Sequence, residues 1–121
     1  KNQPSNQKKL EKDLSLEDLV SIHINFCPHY GDSRLRIWES TYLFAKENNH
    51  KSKLLYNYNI PLYPKWKNIR NGESIRFTLI FSSLPKDCKA FDLVELISEP
   101  GGFIFKNIQR NSSDVYHLIL E

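Results

Sequence analysis

The alternation of apolar and polar residues between Glu73 and Leu84 constrains the fold of this chain most strongly. Every second residue is apolar in the run Ile75-Arg-Phe-Thr-Leu-Ile-Phe81, and Arg76 and Thr78 lie between these apolar residues. Successive side chains of a β-strand point to opposite faces of the sheet. The stretch therefore predicts a strand with one face buried against a second layer.

Similar patterns, with β-branched and aromatic residues between turn formers, recur along the chain. They predict further strands at residues 20–26, 34–38, 41–45, 53–58, 91–97, 103–108 and 115–120. Turn signals about 8–12 residues apart are typical of a β-sandwich or barrel. We expect an all-β fold, an antiparallel β-sandwich of about 7–8 strands, with a polar leader or linker at 1–18 and a single domain at 19–121.

Two local patterns refine this expectation. Residues 27–33, Cys-Pro-His-Tyr-Gly-Asp-Ser, are rich in turn formers and predict a hairpin from strand 20–26 to strand 34–38. In the second strand, Leu35 and Ile37 should point to one face, and Arg34, Arg36 and Trp38 to the other. Two prolines within residues 60–66 place that segment at a sheet edge or outside a sheet, because proline cannot donate to a ladder.

The cysteines leave two alternatives open. Cys27 and Cys88 flank Trp38 in an order and spacing close to those of immunoglobulin domains, in which the two cysteines form a disulfide. However, Lys86 occupies the place of the tyrosine that normally precedes the second cysteine, and Cys88 follows Pro85 in a predicted turn. Two free, partly buried thiols are therefore favoured over a disulfide.

Catalytic and metal chemistry find little support in the sequence. Cys27 and His29 could form a nucleophile and base, but no orienting carboxylate or oxyanion-type glycine cluster accompanies them. Asp92 and Glu95 lie an odd number of residues apart, so a strand would direct them to opposite faces. The four histidines have no paired ligand spacing. We expect a protein that is not an enzyme and needs neither a metal nor another cofactor.

Aromatic and basic residues indicate where a partner would bind. Tyrosine, tryptophan and arginine are favoured at protein interfaces, which makes a protein or peptide the favoured partner. The predicted partner-binding residues are Trp38, Tyr42, Tyr63 and Trp66. No apolar run approaches the roughly 20 residues that span a bilayer, so no membrane span is expected.

The alternative partner is nucleic acid, because aromatic rings beside cations can stack bases while the cations bind phosphates. The net charge is +3, and the excess of basic residues lies in the region between residues 46 and 76. The predicted basic patch consists of Lys51, Lys53, Lys65, Lys67 and Arg70. A simpler interpretation is that lysines protect a sheet edge from aggregation.

Three strings also resemble a group of uncharacterised bacterial immunoglobulin-like β-sandwich domains. They are Arg36-Ile-Trp-Glu-Ser-Thr-Tyr-Leu, the pair Lys53-Leu-Leu and Asn59-Ile-Pro-Leu-Tyr-Pro-Lys-Trp, and the run from Phe77-Thr-Leu-Ile-Phe to Leu84-Pro-Lys. The resemblance extends over roughly residues 20–120. It implies the sandwich fold and carries no catalytic residues.

Overall fold

The computed structural model describes residues 18–121, and this part of the chain contains nine β-strands. The strands are β1 (Val20–Phe26), β2 (Ser33–Leu35), β3 (Thr41–Ala45), β4 (His50–Tyr58), β5 (Lys67–Ile69), β6 (Ile75–Phe81), β7 (Ala90–Glu95), β8 (Ile104–Gln109) and β9 (Val115–Leu120). A 3₁₀ turn, Lys46–Asn48, lies between β3 and β4.

Seven of these strands form one sheet in the order β8-β7-β3-β4-β6-β1-β9, and β2 and β5 form a separate antiparallel pair. Neighbours in the large sheet are antiparallel except β1 and β9, which run parallel. Ser21 of β1 faces Val115 of β9 in that parallel register.

The large sheet curls on itself. Its edge strands β8 and β9 are joined by residues 110–114 alone, which can span no more than about 21 Å. Seven strands in a flat sheet would hold these edges about 29 Å apart. The rings of Phe91 on β7 and Tyr116 on β9 meet at 5.1 Å between centroids, although four strands separate β7 from β9 in the sheet order.

The core fills the inside of the curl. Val20, Ile22 and Ile24 of β1 are completely buried, and β6 directs Phe77, Leu79 and Phe81 to the same side. Burying one such side chain contributes about 1.5–3 kcal/mol. Two further fully buried residues, Ile37 and Ile69, extend this core beneath the β2–β5 pair.

The all-β prediction is confirmed, and so is the alternating burial of residues 75–81. The described residues contain nine strands where about seven or eight were predicted, since Lys67–Ile69 was not recognised as a strand. The expectation of a purely antiparallel sheet is wrong, because β1 and β9 pair in parallel.

The predicted hairpin between strands 20–26 and 34–38 is also wrong. β1 pairs with β6 and β9, whereas β2 pairs with β5. The turn formers in residues 27–33 redirect the chain, but β6 and β9 occupy the two backbone edges of β1, and β2 pairs with the three residues of β5. Three statements stay predictions: that two sheets stack as a sandwich, that the sandwich is immunoglobulin-like, and that the domain begins at residue 19. The predicted leader lies outside the described residues except for Asp18.

The two thiols are free, and only one of them is buried. Cys88 is buried and its Sγ lies 3.3 Å from the carbonyl oxygen of Ala90, whereas Cys27 is exposed. Within residues 18–121, no helix has the length and hydropathy needed to cross a bilayer.

Candidate functional site

An isolated parallel bridge joins Ile37, two residues after the end of β2, to Leu62 in the proline-rich segment. Ile37 donates its backbone N–H to the carbonyl of Pro61 at 2.9 Å, and the Ile37 carbonyl accepts the N–H of Tyr63 at 2.8 Å. Leu35 and Ile37 point into the core. Residues 34, 36 and 38 consequently share the outer face, as the alternation predicted, and Tyr63 lies beside them.

The side chains on this face form a stack that we call the aromatic–arginine ladder, composed of Arg34, Arg36, Trp38, Tyr63 and Trp66. The Trp38 and Tyr63 rings stack with centroids 4.1 Å apart. The Arg36 guanidinium carbon lies 4.5 Å from the Tyr63 centroid and 3.7 Å from that of Trp66. The Arg34 guanidinium carbon lies 4.2 Å from the Trp66 centroid. These distances are within the range of cation–π attraction.

A buried carboxylate fixes the inner end of the ladder. Glu95, at the end of β7, is only 8% exposed, and its Oε2 accepts the backbone N–H of Trp38 at 3.0 Å. Its Oε1 accepts the N–H of Phe103 at 3.3 Å. Burial raises the pKa of the Glu95 carboxyl, and the two backbone hydrogen bonds act in the opposite direction. Glu95 therefore holds the backbone that carries the first ring of the ladder.

Arg36 is held in place by its own set of contacts. Its Nη1 donates to the carbonyl of Pro64 at 3.2 Å, and its Nη2 lies 3.9 Å from Oε1 of Glu99. The Arg36 side chain is largely buried between the two aromatic rings, while half of the Glu99 side chain is exposed. The central cation of the ladder is thus fixed by stacking and hydrogen bonding more than by its ion pair.

Two hollows flank the ladder. A cleft of about 340 Å³ is lined by residues that include Arg36, Trp38, Trp66, Glu95, Glu99 and Phe103. A second, shallow depression of about 450 Å³ is lined by Trp38, Tyr42, Lys53 and Tyr63, among others. Trp38 contributes to both, so the two hollows adjoin the ladder at this ring.

Three of the four predicted partner-binding residues, Trp38, Tyr63 and Trp66, are members of the ladder. The fourth, Tyr42, lies on β3 and lines the shallow depression together with Trp38 and Tyr63. In the register of β3 and β4 it faces Lys53, and the Nζ of Lys51 lies 4.4 Å from its ring centroid. The four aromatic residues thus belong to one continuous surface.

The predicted basic patch is divided between two sheets. Lys51 and Lys53 lie on β4 of the large sheet beside Tyr42. Lys67 begins β5 of the small sheet, while Lys65 and Arg70 lie in the loops before and after it. The two groups flank the aromatic surface from different elements.

The residues considered for catalysis in the sequence, Cys27 with His29 and Asp92 with Glu95, form no hydrogen bond with one another in the described structure. Cys27 and His29 are both exposed, and no hydrogen bond connects them in the described part of the chain. Asp92 contacts Lys46 and the N–H of Asn107, while Glu95 contacts Trp38 and Phe103. Among residues 18–121, no group of three or more histidine, cysteine or acidic residues is placed to hold a metal ion.

Three residues of the site were not chosen from the sequence: Arg34, Arg36 and Glu95. The two arginines could have been found, because they occupy the same face of the predicted strand 34–38 as Trp38, at a spacing of two residues. Glu95 carries no comparable signal, since its contact with Trp38 joins residues 57 positions apart in the chain.

Comparisons with known proteins found no match for this chain. The sequence matches no protein-family model and no curated protein, and the fold matches no solved structure.

Proposed function

We propose that this chain is a non-catalytic interaction module that binds a protein or peptide through Trp38, Tyr42, Tyr63 and Trp66. Arg34 and Arg36 belong to the same surface. The module would be a β-sandwich of the immunoglobulin-like kind. The contact between Phe91 and Tyr116 across the core supports only the facing of two layers. The observation that carries the proposal is the aromatic–arginine ladder exposed at the surface.

The ladder has the properties of an interface anchor. Tyr63 is 48% exposed and Trp66 is 42% exposed, although both rings already contact a neighbouring side chain. Side chains that are ordered before binding lose little rotamer freedom when a partner arrives. Tyrosine, tryptophan and arginine also dominate binding hot spots. A partner that fills the flanking hollows would contact all three residue types together.

Tryptophan fluorescence provides a selective test, since both tryptophans of the chain belong to the ladder. Peptides would be selected from a random displayed library against the folded chain, and their dissociation constants measured with the purified protein. We expect bound peptides to change the tryptophan emission. Replacement of Tyr63 by alanine should weaken binding by at least about tenfold, the loss expected of a hot-spot residue.

The matched control is Tyr30→Ala. Tyr30 is also an exposed tyrosine, but it lies in the loop between β1 and β2 and contributes to neither hollow. Its replacement should leave peptide affinity unchanged. Equal affinities for the wild type and Tyr63→Ala would remove this surface from consideration.

A nucleic-acid partner is the second candidate, and the position of Lys51 over the Tyr42 ring favours it. Lys53 lines the same depression, so cations and an aromatic ring are adjacent on the outer face of β3 and β4. Single-stranded nucleic acid is bound by this combination of stacking and phosphate contacts. Lys65, Lys67 and Arg70 would then extend the basic surface.

The nucleic-acid candidate predicts binding that weakens steeply as salt rises, because each phosphate contact releases a counterion. An unstructured oligothymidine titrated at low and at moderate salt would measure this. The double variant Lys51→Ala, Lys53→Ala should lower both the affinity and the salt slope. Absence of any complex at low salt would dismiss nucleic acid without affecting the peptide experiment.

A further inference from the structure

Among residues 18–121, no strand pairs with the outer edge of β9, and this edge has a defined direction. Ser21 donates its N–H to Asp114 at 2.9 Å, and Cys27 donates to Leu120 at 3.0 Å. In this parallel register, the even-numbered residues of β9 direct their backbone groups toward β1. The N–H and C=O groups of Val115, His117 and Ile119 therefore point away from the sheet.

The two edges of the large sheet differ in how they are protected. β8 carries Lys106, a left-handed Asn107 with φ of 59°, and an irregular register against β7 near Phe91. These are features that discourage edge-to-edge pairing. The sequence of β9, Val-Tyr-His-Leu-Ile-Leu, contains neither a charged residue nor a proline. Its Ile119 is nevertheless 61% exposed.

We propose that β9 pairs antiparallel with β9 of a second copy of this chain, around a two-fold axis at His117. The contact is separate from the aromatic–arginine ladder and does not depend on the function proposed for it. It would join two large sheets edge to edge, with each copy contributing the same strand.

The backbone geometry fits this register. With His117 opposite His117 of the partner subunit, Val115 lies opposite Ile119 of the partner subunit, and the reverse pair follows by symmetry. All three residues direct their backbone groups outward, as hydrogen-bonded pairs of an antiparallel ladder require. The Val115 carbonyl already accepts Asn111 Nδ2 at 2.9 Å, and its second lone pair remains able to accept the partner's amide.

The side chains are self-complementary about the same axis, which is why a second copy is the occupant we choose. Val115 and Ile119 form apolar cross-strand pairs on the outer face, and such pairs stabilise a sheet. That face continues inward through Ile80 and the exposed rings of Tyr56 and Tyr58, which lie in the same cross-strand rows. A two-fold contact of this kind closes after two copies.

The charges near the axis set the conditions of the test. His117 stacks on His23 of β1 at 5.1 Å between centroids, and Nη2 of Arg76 on β6 lies 3.5 Å from its Nδ1. The cross-strand row that contains the axis consists of His117, His23, Thr78 and Tyr58, and it contains no acidic residue. The measurement belongs at about pH 8, above the range in which histidine side chains ordinarily titrate.

Sedimentation velocity of the full 121-residue chain, from nanomolar to millimolar concentration, tests the proposal. We expect a concentration-dependent dimer. The substitution Ile119→Lys should raise the dissociation constant of the dimer about tenfold or more, because it places a cation in each of the two apolar pairs. The matched control is Ile104→Lys on β8, where a similarly exposed isoleucine lies on the protected edge. This control should dimerise like the wild type.

Hydrogen exchange supplies an independent measurement that does not rely on a substitution. The amides of His117 and Ile119 should exchange more slowly at high protein concentration than at low concentration. The amide of Tyr116, which bonds within the sheet, should show no such difference. A chain that stays monomeric at every concentration overturns the proposal, and so does a dimer in which the His117 and Ile119 amides remain unprotected or in which both lysine variants behave alike.

Discussion

Glu95 shows how a single buried side chain organises the proposed binding surface. Its two carboxylate oxygens accept backbone N–H groups from Trp38 and Phe103, which belong to different parts of the chain. The adjacent Gly102 is constrained as well, since a Cβ there would come within 2.5 Å of the Glu95 carbonyl oxygen. The start of the aromatic–arginine ladder is therefore fixed by a polar contact inside the fold.

Replacement of Glu95 by alanine should lower the free energy of unfolding by about 2–3 kcal/mol, because two buried N–H groups lose their charged acceptor. Urea denaturation measures this change. The emission of Trp38 should shift as well. The control Glu99→Ala removes a half-exposed carboxylate that makes one long ion pair, and it should cost less than about 1 kcal/mol. Equal losses in the two variants would contradict this role of Glu95.

His23 gives the fold a dependence on pH. Burial, followed by the nearby His117 and Arg76, lowers the pKa of His23 below its ordinary value of 6.5. Between the lowered value and 6.5, the unfolded chain binds more protons than the folded chain, so acidification through this range destabilises the fold. The loss begins as the pH falls below about 6.5 and is complete below the folded pKa.

Urea denaturation of the wild type and His23→Gln at several pH values checks this expectation. The variant should lose less stability than the wild type between about pH 7 and pH 5. The difference between the two chains is the informative quantity, because the raised pKa of Glu95 acts in the opposite direction and is common to both. Parallel stability curves would show that His23 is not responsible.

The individual strands differ in how far the sequence could predict them. Apolar and polar residues alternate so regularly over 75–81 that the sequence predicted both the strand and its buried face. The same holds for β1. β5 was missed because Lys67-Asn-Ile69 is too short to show a period, and it lies between Pro64 and the turn at Asn71-Gly72. The sequence placed Arg34 and Arg36 on the correct face. Their aromatic neighbours Tyr63 and Trp66 come from a loop, and the alternation of apolar and polar residues does not predict the path of a loop.

The buried face of β6 can be tested by truncation. Leu79→Ala should destabilise the fold by about 3 kcal/mol, since Leu79 is completely buried at the centre of the sheet and its removal leaves a cavity. Ile104→Ala on the edge strand β8 removes a residue that is 53% exposed, and it should change stability by no more than about 0.5 kcal/mol. Similar losses from both variants would contradict the assignment of the core.

Closure of the curled sheet depends on contacts that no local pattern predicts. The parallel register of β1 with β9 joins nearly opposite ends of the described chain, and Phe91 meets Tyr116 across the core. The loop that connects β8 with β9 holds a further set of contacts. Arg110 binds Asp114 through two hydrogen bonds of 2.6 and 3.0 Å and donates to the carbonyls of Pro85 and Cys88.

These contacts connect β9 to the segment before β7. Asp114 also accepts the hydroxyl of Tyr116, and that hydroxyl accepts the N–H of Asn111. Burial, as the largest cause, raises the pKa of Tyr116 to about 12, so the hydroxyl remains a donor at neutral pH. The side chains of Arg110 and Asp114 are both mostly buried. We therefore expect this ion pair to contribute far more than a surface pair.

A double-mutant cycle of Arg110→Ala and Asp114→Ala measures that contribution. Each single variant should lose about 2–4 kcal/mol of unfolding free energy, because each leaves a partly buried charge without its partner. The double variant should lose less than the sum, giving a coupling energy of about 1–3 kcal/mol. Arg110→Lys should not restore full stability, because an ammonium group cannot form the two parallel hydrogen bonds.

The comparison pair is Lys46 and Asp92, whose atoms approach to 3.2 Å while 73% of the Lys46 side chain is exposed. Asp92 is buried, but without Lys46 it would still accept the N–H of Asn107. Lys46→Ala should cost less than about 1 kcal/mol. All variants are to be compared at one protein concentration, because dimerisation through β9 would add a concentration-dependent term to the measured stability. Strictly additive losses at Arg110 and Asp114 would show that the curl is maintained by apolar packing such as that of Phe91 on Tyr116, with the ion pair contributing little.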